Sequence, residues 1–99
     1  MRRITPLERK FWEFNAEHPE IYVLFDKFAR RVIERGYARY SADAVMQRVR
    51  WETTIEWTSF RFKINDHLTA YYARYWMSKN PRYRGFFALR TLTNGRLRP

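Results

Sequence analysis

The chain has 99 residues, of which 45% are hydrophobic and 19% aromatic, enough for one compact core but not for two. It carries 20 Lys and Arg against 10 Asp and Glu, a formal net charge of +10. The absence of Cys excludes a disulfide framework and every zinc or iron–sulfur site built on thiolates. We therefore expect a single domain over residues 1–99, with flexible ends at residues 1–4 and 95–99.

Two helices are predicted in the first third of the chain. Thr5 is a favourable N-cap and Pro6 suits the first helical position, so the first helix begins there and ends near Glu17. The second begins at Pro19 and ends at Gly36, since glycine tolerates the left-handed conformation of a helix C-terminus. Its apolar stripe recurs at helical spacing and comprises Ile21, Leu24, Phe25, Phe28 and Val32.

A third helix is predicted from Ser41, a favourable N-cap residue. Its apolar side includes Val49, and continuing the same periodicity places Glu52 and Glu56 on that side. Burying either carboxylate without a partner is costly. Either the helix ends near Thr53, or one of the carboxylates meets an internal arginine.

The pattern then changes from helical to alternating. Apolar and cationic side chains alternate over residues 60–64, which is typical of a half-exposed strand. A fourth helix is capped by Asn65-Asp66 and ends before Pro81, and residues 86–92 are expected to form a second strand pairing with the first. The fold class is therefore mainly α, a compact helical domain with a small two-stranded β element. This order resembles a winged helix, except that a helix interrupts the hairpin of the wing.

The positive charge is concentrated late in the chain. After Asp66 there is no acidic residue, whereas seven basic residues follow, and 16 of the 20 cationic residues are Arg. A one-sided field of this kind usually faces a polyanion, and the planar guanidinium grips phosphate through two hydrogen bonds. The expected partner is nucleic acid, with DNA favoured, or else an acidic protein surface. Plain solubility is the alternative.

Helices two and three have the outline of a helix-turn-helix, although their connection is longer than usual. Gln47, Arg50 and Thr54 share the outward face of helix three and suit the base edges of a major groove, and Trp51 also points outward. The alternative is an ordinary solvated face. Four further residues are predicted to contact phosphates: Arg39, Arg48, Arg82 and Arg84.

An aromatic row on the fourth helix has two interpretations. Next to Arg74 it could stack bases, as in proteins that bind single strands, but an aromatic stripe on a helix more often fills a core. Core packing is the favoured interpretation. The row consists of Tyr71, Tyr72, Tyr75 and Trp76.

Catalysis has little support in the sequence. The two histidines, His18 and His67, are far apart and no metal-binding spacing occurs, so we expect no catalytic residue, no metal and no cofactor. A loose set of Asp43, Glu56 and Lys63 evokes a metal-dependent nuclease but has no specific spacing. No segment suits a bilayer or a signal peptide, which favours the cytoplasm.

Five segments carry a resemblance to a known group of proteins: Phe11-Trp12-Glu13-Phe14, Arg50-Trp51-Glu52-Thr53, Phe62-Lys63-Ile64-Asn65, Tyr71-Tyr72-Ala73-Arg74 and Gly85-Phe86-Phe87. They resemble small basic proteins encoded in bacteriophage and prophage genomes, and the likeness spans most of residues 11–90. It carries no known functional residues with it. The resemblance implies a phage-type gene product in the cytoplasm of a bacterial host, one that handles phage or host DNA or one that blocks a host defence complex.

Overall fold

A computed structural model describes residues 3–56, 64 and 66–87 of the chain, and this part is mainly helical, as predicted. A π-helical turn, Glu52–Glu56, extends the third helix, and two short 3-10 turns, Asp66–Leu68 and Pro81–Tyr83, flank the fourth. The predicted flexible ends lie outside the described residues, apart from residues 3 and 4. The α-helices are α1 (Pro6–Glu17), α2 (Pro19–Glu34), α3 (Ala42–Trp51) and α4 (Thr69–Lys79).

The ends of α1 and α2 form where the sequence predicts them. The backbone N–H of Glu8 donates to Thr5 Oγ1 at 3.1 Å, which satisfies one of the unpaired donors of the first turn of α1. His18 ends α1 and precedes α2, and it is buried with its ring 4.7 Å from that of Phe14. Gly36 follows α2 with φ +98°, a conformation that residues with a Cβ rarely adopt.

The start of α3 is confirmed, and its end agrees with the first predicted alternative to within two residues. Ser41 Oγ accepts from the N–H of Ala44 at 3.1 Å, and α-helical geometry stops at Trp51, two residues before Thr53. The hydroxyl of Thr53 donates to the carbonyl of Val49 at 3.1 Å, a side-chain bond that competes with regular helical geometry. The π-helical turn follows at this point.

The two carboxylates near the end of α3 avoid unpaired burial. Glu52 lies 3.8 Å from Arg48 one turn earlier, and that arginine is half exposed rather than internal. Glu56, the last residue of the wider π-helical turn, is exposed. Because a π-helical turn contains more residues than an α-helical one, it rotates the residues after Trp51 away from their α-helical positions.

Aromatic rings occupy the centre of the core. Phe11 meets Tyr72 edge-on at 4.8 Å between ring centroids, and Phe87 lies 5.4 Å from both Phe25 and Trp76. All five side chains are at most 2% exposed. Phe11–Tyr72 and Trp76–Phe87 are edge-to-face pairs, which contribute about 0.5–1.5 kcal/mol each beyond the area they bury. The aromatic content of the sequence therefore supplies the core that a short chain with few aliphatic residues needs.

The predicted β element is not supported by the described residues. Residues 60–63 of the first predicted strand and residues 88–92 of the second lie outside them. Of the second strand, Phe87 forms a single parallel bridge with Tyr40 in the α2–α3 connection. Phe86 and Phe87 are both buried, at 3% and 2% exposure, whereas neighbours in a half-exposed strand alternate between faces. The described part of the chain contains no strand ladder that would form a wing. The Asn65-Asp66 cap differs as well, because a 3-10 turn from Asp66 precedes α4.

A polar network joins α2 to the C-terminal end of α4. The indole N–H of Trp76 donates to Asp26 Oδ1 at 2.8 Å, and Arg30 Nε donates to Asp26 Oδ2 at 3.2 Å. Arg30 Nη2 donates to Asn80 Oδ1 at 2.7 Å, and Asn80 Nδ2 donates to the carbonyl of Trp76 at 2.8 Å. We call these four residues the Asp26 network. It holds the point at which the chain leaves α4.

Candidate nucleic-acid interface

Two loops distant in sequence lie side by side just beyond the Asp26 network. The 3-10 turn after Asn80 leads to Gly85, whose φ of +86° allows the chain to reverse, and then to two buried phenylalanines. The N–H of Tyr40 donates to the carbonyl of Phe86 at 3.0 Å, next to the Tyr40–Phe87 bridge. This contact brings the α2–α3 connection against the segment after α4.

The two loops enclose an open cleft of about 420 Å³, whose rim carries three arginines. Arg39 comes from the α2–α3 connection, whereas Arg82 and Arg84 come from the turn after α4. None of the described residues that line it is acidic. We call this feature the arginine cleft; Ala38, Arg39, Arg82, Tyr83, Arg84 and Phe86 line it.

The three guanidinium groups are exposed and have no ion-pair partner among the described residues. Arg82 lies over the ring of Tyr83, 5.7 Å from its centroid, which holds the side chain beside the cleft. Like charges gathered without counter-charges repel one another, so a polyanion that neutralises them is bound favourably. The cleft can thus take two or three phosphate oxygens through paired N–H donors.

The predicted outward face of α3 is only partly formed as expected. Gln47, Trp51 and Thr54 are exposed, and Trp51 has 52% of its surface accessible. Thr54 lies in the π-helical turn, so it does not continue the α-helical row that begins at Gln47. Between α2 and α3 lies a connection of residues 35–41, longer than the turn of a typical helix-turn-helix.

Two arginines predicted for this face have contacts within the protein. Arg50 is partly buried, and its Nη2 donates to the carbonyl of Ile64 at 3.5 Å. The guanidinium of Arg48 lies over the buried ring of Phe28, 5.1 Å from its centroid, and pairs with Glu52. The structure therefore gives Arg48 and Arg50 positions in intramolecular packing, while their predicted contacts with nucleic acid stay predictions.

The aromatic row of α4 divides into two pairs. Tyr72 and Trp76 are fully buried, as the favoured interpretation has it, whereas Tyr71 and Tyr75 are only partly buried. Burial raises the pKa of the Tyr72 hydroxyl above its usual range, and the nearby carboxylate of Glu20 adds to the effect.

The described residues contain no group of three or more His, Cys, Asp or Glu that could hold a metal ion. Asp43 and Glu56 lie at opposite ends of the α3 segment, about 15–20 Å apart at 1.5 Å per residue, which is too far to share one ion. Lys63 lies outside the described residues. None of the helices described is both long and apolar enough to cross a bilayer.

Comparisons with protein-family models, curated proteins and solved structures find no match to this chain. What sequence reasoning missed is the joining of Arg39 to Arg82 and Arg84. The contact between Tyr40 and Phe86 that joins them spans more than forty residues, so no local sequence pattern indicates it. The excess of positive charge was the only signal in the sequence.

Proposed function

We propose that this protein binds the phosphate backbone of nucleic acid, with duplex DNA as the favoured form, through the arginine cleft. The observation that carries the proposal is the convergence of three exposed arginines from two loops on one cleft without a described acidic residue. Arginine is suited to this task because its planar fork matches the oxygens of a phosphate group.

The frame beneath the cleft supports the same function. The Asp26 network and the Tyr40–Phe86 hydrogen bond hold both loops, so little conformational freedom of the backbone is lost when phosphate binds. The exposed amide of Gln47 supports duplex DNA in particular, because such a side chain on a surface helix pairs with adenine in a major groove. A phage-type origin, which the sequence resemblance implies, fits a small protein with this role.

The test is a salt titration of binding to duplex DNA, followed by fluorescence anisotropy. The variant Arg39→Gln/Arg82→Gln/Arg84→Gln removes the three positive charges of the cleft. Each phosphate contact contributes about 0.9 to the slope of log affinity against log salt, so the variant should lose about 2–3 units of slope. Its affinity should fall alike on all duplex sequences, because phosphate contacts carry no sequence information.

A matched control removes the same charge elsewhere. Arg9→Gln/Lys10→Gln/Arg31→Gln changes three exposed cations on α1 and α2 that do not line the cleft. We expect this control to lose less than about one unit of slope, since it alters only the overall field. Equal losses in the two triple variants, or no binding by wild type at about 150 mM salt, would contradict the proposal.

A second candidate function is a phage-encoded inhibitor that binds a host defence or nucleic-acid-processing complex. The observation that favours it is an exposed apolar pair, Trp51 and Ile55, with 52% and 55% of their surfaces accessible. Exposed tryptophans are frequent energetic centres of protein interfaces. This candidate takes precedence if nucleic-acid binding is absent at about 150 mM salt and Trp51→Ala abolishes capture of an acidic host protein that wild type retains.

A further inference from the structure

A second cleft, of about 510 Å³, opens between α1 and α4 and is lined mainly by aromatic rings. Trp12 meets Tyr75 edge-on at 5.1 Å, and Phe11 lies 5.9 Å from Tyr71 in a stacked arrangement. The guanidinium of Arg74 lies 5.5 Å from the centroid of the Tyr71 ring. We call this feature the aromatic cleft; Glu8, Phe11, Trp12, Tyr71, Arg74 and Tyr75 line it.

The orientation of Trp12 is held while part of its surface stays accessible. Its indole N–H donates to Glu8 Oε2 at 3.2 Å, and the ring contacts Phe11 at 4.8 Å. Trp12 nevertheless has 39% of its surface exposed. A ring that is already held loses little conformational entropy when a flat ligand stacks on it.

Two observations identify the chemistry of the ligand. The cleft combines accessible aromatic rings with the exposed cation Arg74, the combination by which proteins stack unpaired bases and hold the adjoining phosphate. Organic cations are disfavoured, since Arg74 and Lys79 already lie over Tyr71 and Tyr75, and the chain carries a net charge of +10.

We propose that the aromatic cleft binds an unpaired nucleobase of single-stranded DNA, with the base against Trp12 and its phosphate at Arg74. This inference rests on the proposed function, because it assigns to the same protein a second contact with the same polymer. Stacking is tolerant of sequence, since every base has a π-face, so no preferred base is expected. The two clefts would therefore recognise different features: the arginine cleft binds the phosphates of a strand, and the aromatic cleft binds an unpaired base.

The test compares two single strands of about 12 nucleotides, one of thymidines and one of the same length whose sugars carry no base. Both have the same phosphates, so a difference in affinity reports the base alone. We expect wild type to bind the thymidine strand about 5- to 150-fold more tightly, the range for stacking one base. Trp12→Leu should remove this preference, and Trp12→Phe, which retains an aromatic face, should keep most of it.

The control is Tyr37→Leu, which removes another exposed aromatic ring, one that lines neither cleft. It should retain the preference for the strand with bases. Arg74→Gln, at an exposed position, should weaken binding to both strands and reduce the salt slope by about 0.7. Thermal melts of each variant establish that it is folded, and Arg74→Gln tests the cleft independently if Trp12→Leu does not fold.

The outcomes separate this inference from the proposed function. Wild type that binds both strands equally, with a normal salt slope, overturns the stacking site and leaves the arginine cleft in place. Equal loss of preference in Trp12→Leu and Tyr37→Leu also overturns it. Wild type that binds neither strand nor duplex at about 150 mM salt overturns the proposed function and with it this inference.

Discussion

Replacing Asp26 by alanine tests the network that holds the arginine cleft. The carboxylate accepts from the indole N–H of Trp76 at 2.8 Å, and Trp76 is fully buried. Asp26→Ala leaves that N–H without its acceptor, which costs about 1–3 kcal/mol. It also removes the ion pair with Arg30 at 3.0 Å, whose carboxylate and guanidinium side chains are 32% and 49% exposed. Because solvent screens such a pair, its loss adds only about 0.3–0.5 kcal/mol.

The expected total is about 1.3–3.5 kcal/mol, which for a domain of this size lowers the melting temperature by about 5–28 °C. Asp26→Asn is the matched variant, because its amide oxygen still accepts from the indole and only the ion pair is lost. Its cost should stay below about 1 kcal/mol. Thermal unfolding followed by circular dichroism measures both changes. A melting temperature of Asp26→Ala within a degree of wild type, or equal losses in the two variants, would refute the reasoning.

Two further predictions concern the core. The ring of Phe25 is fully buried and contacts Tyr72 and Phe87. Phe25→Ala and Phe28→Ala should each lower the free energy of unfolding, measured in urea, by about 3–5 kcal/mol. A decrease below about 1 kcal/mol would show that α2 is not part of the core. Burial, and then the charge of Asp26, raise the pKa of Tyr22 from 10.0 to about 12, and burial also raises the pKa of Tyr72. The folded state therefore favours the neutral form of both tyrosines. This preference stabilises the fold fully below about pH 10, and the stabilisation is lost as the pH rises from about 10 towards 12. The measurement is a pH titration in which phenolate absorbance reports ionisation and circular dichroism reports unfolding, and unfolding is expected in this pH range. Ionisation of all seven tyrosines near pH 10 without unfolding would contradict the prediction.

The starts of α1 and α3 and the C-terminal end of α2 were predictable because the groups that determine them are neighbours in sequence. Thr5 and Ser41 each accept from a backbone N–H three residues later, and Gly36 adopts a positive φ that follows from its missing side chain. The apolar stripe of α2 depends only on helical periodicity. For the same reason the excess of arginine after Asp66, and the polyanion it favours, could be inferred from composition.

The sequence pattern predicted less where two local tendencies compete. The end of α3 depends on the Thr53 hydroxyl and on the pairing of Glu52 with Arg48, and periodicity alone does not choose between these and a continued helix. Phe86 and Phe87 begin an apolar run that suits a strand, but tertiary packing buries both side chains against the core.

By itself the sequence determined the helical class, the starts of α1, α2 and α3, and the sign of the charge, because each follows from composition or from residues within a few positions of one another. Only the tertiary structure decided which arginines share a cleft. The Tyr40–Phe86 hydrogen bond and the bond between Trp76 and Asp26 join residues more than forty positions apart, and no local pattern encodes such pairs. The same packing turned Arg50 toward Ile64 and left Trp12 accessible beside Tyr75. Both candidate sites consist of side chains that the tertiary structure brings together from distant parts of the sequence.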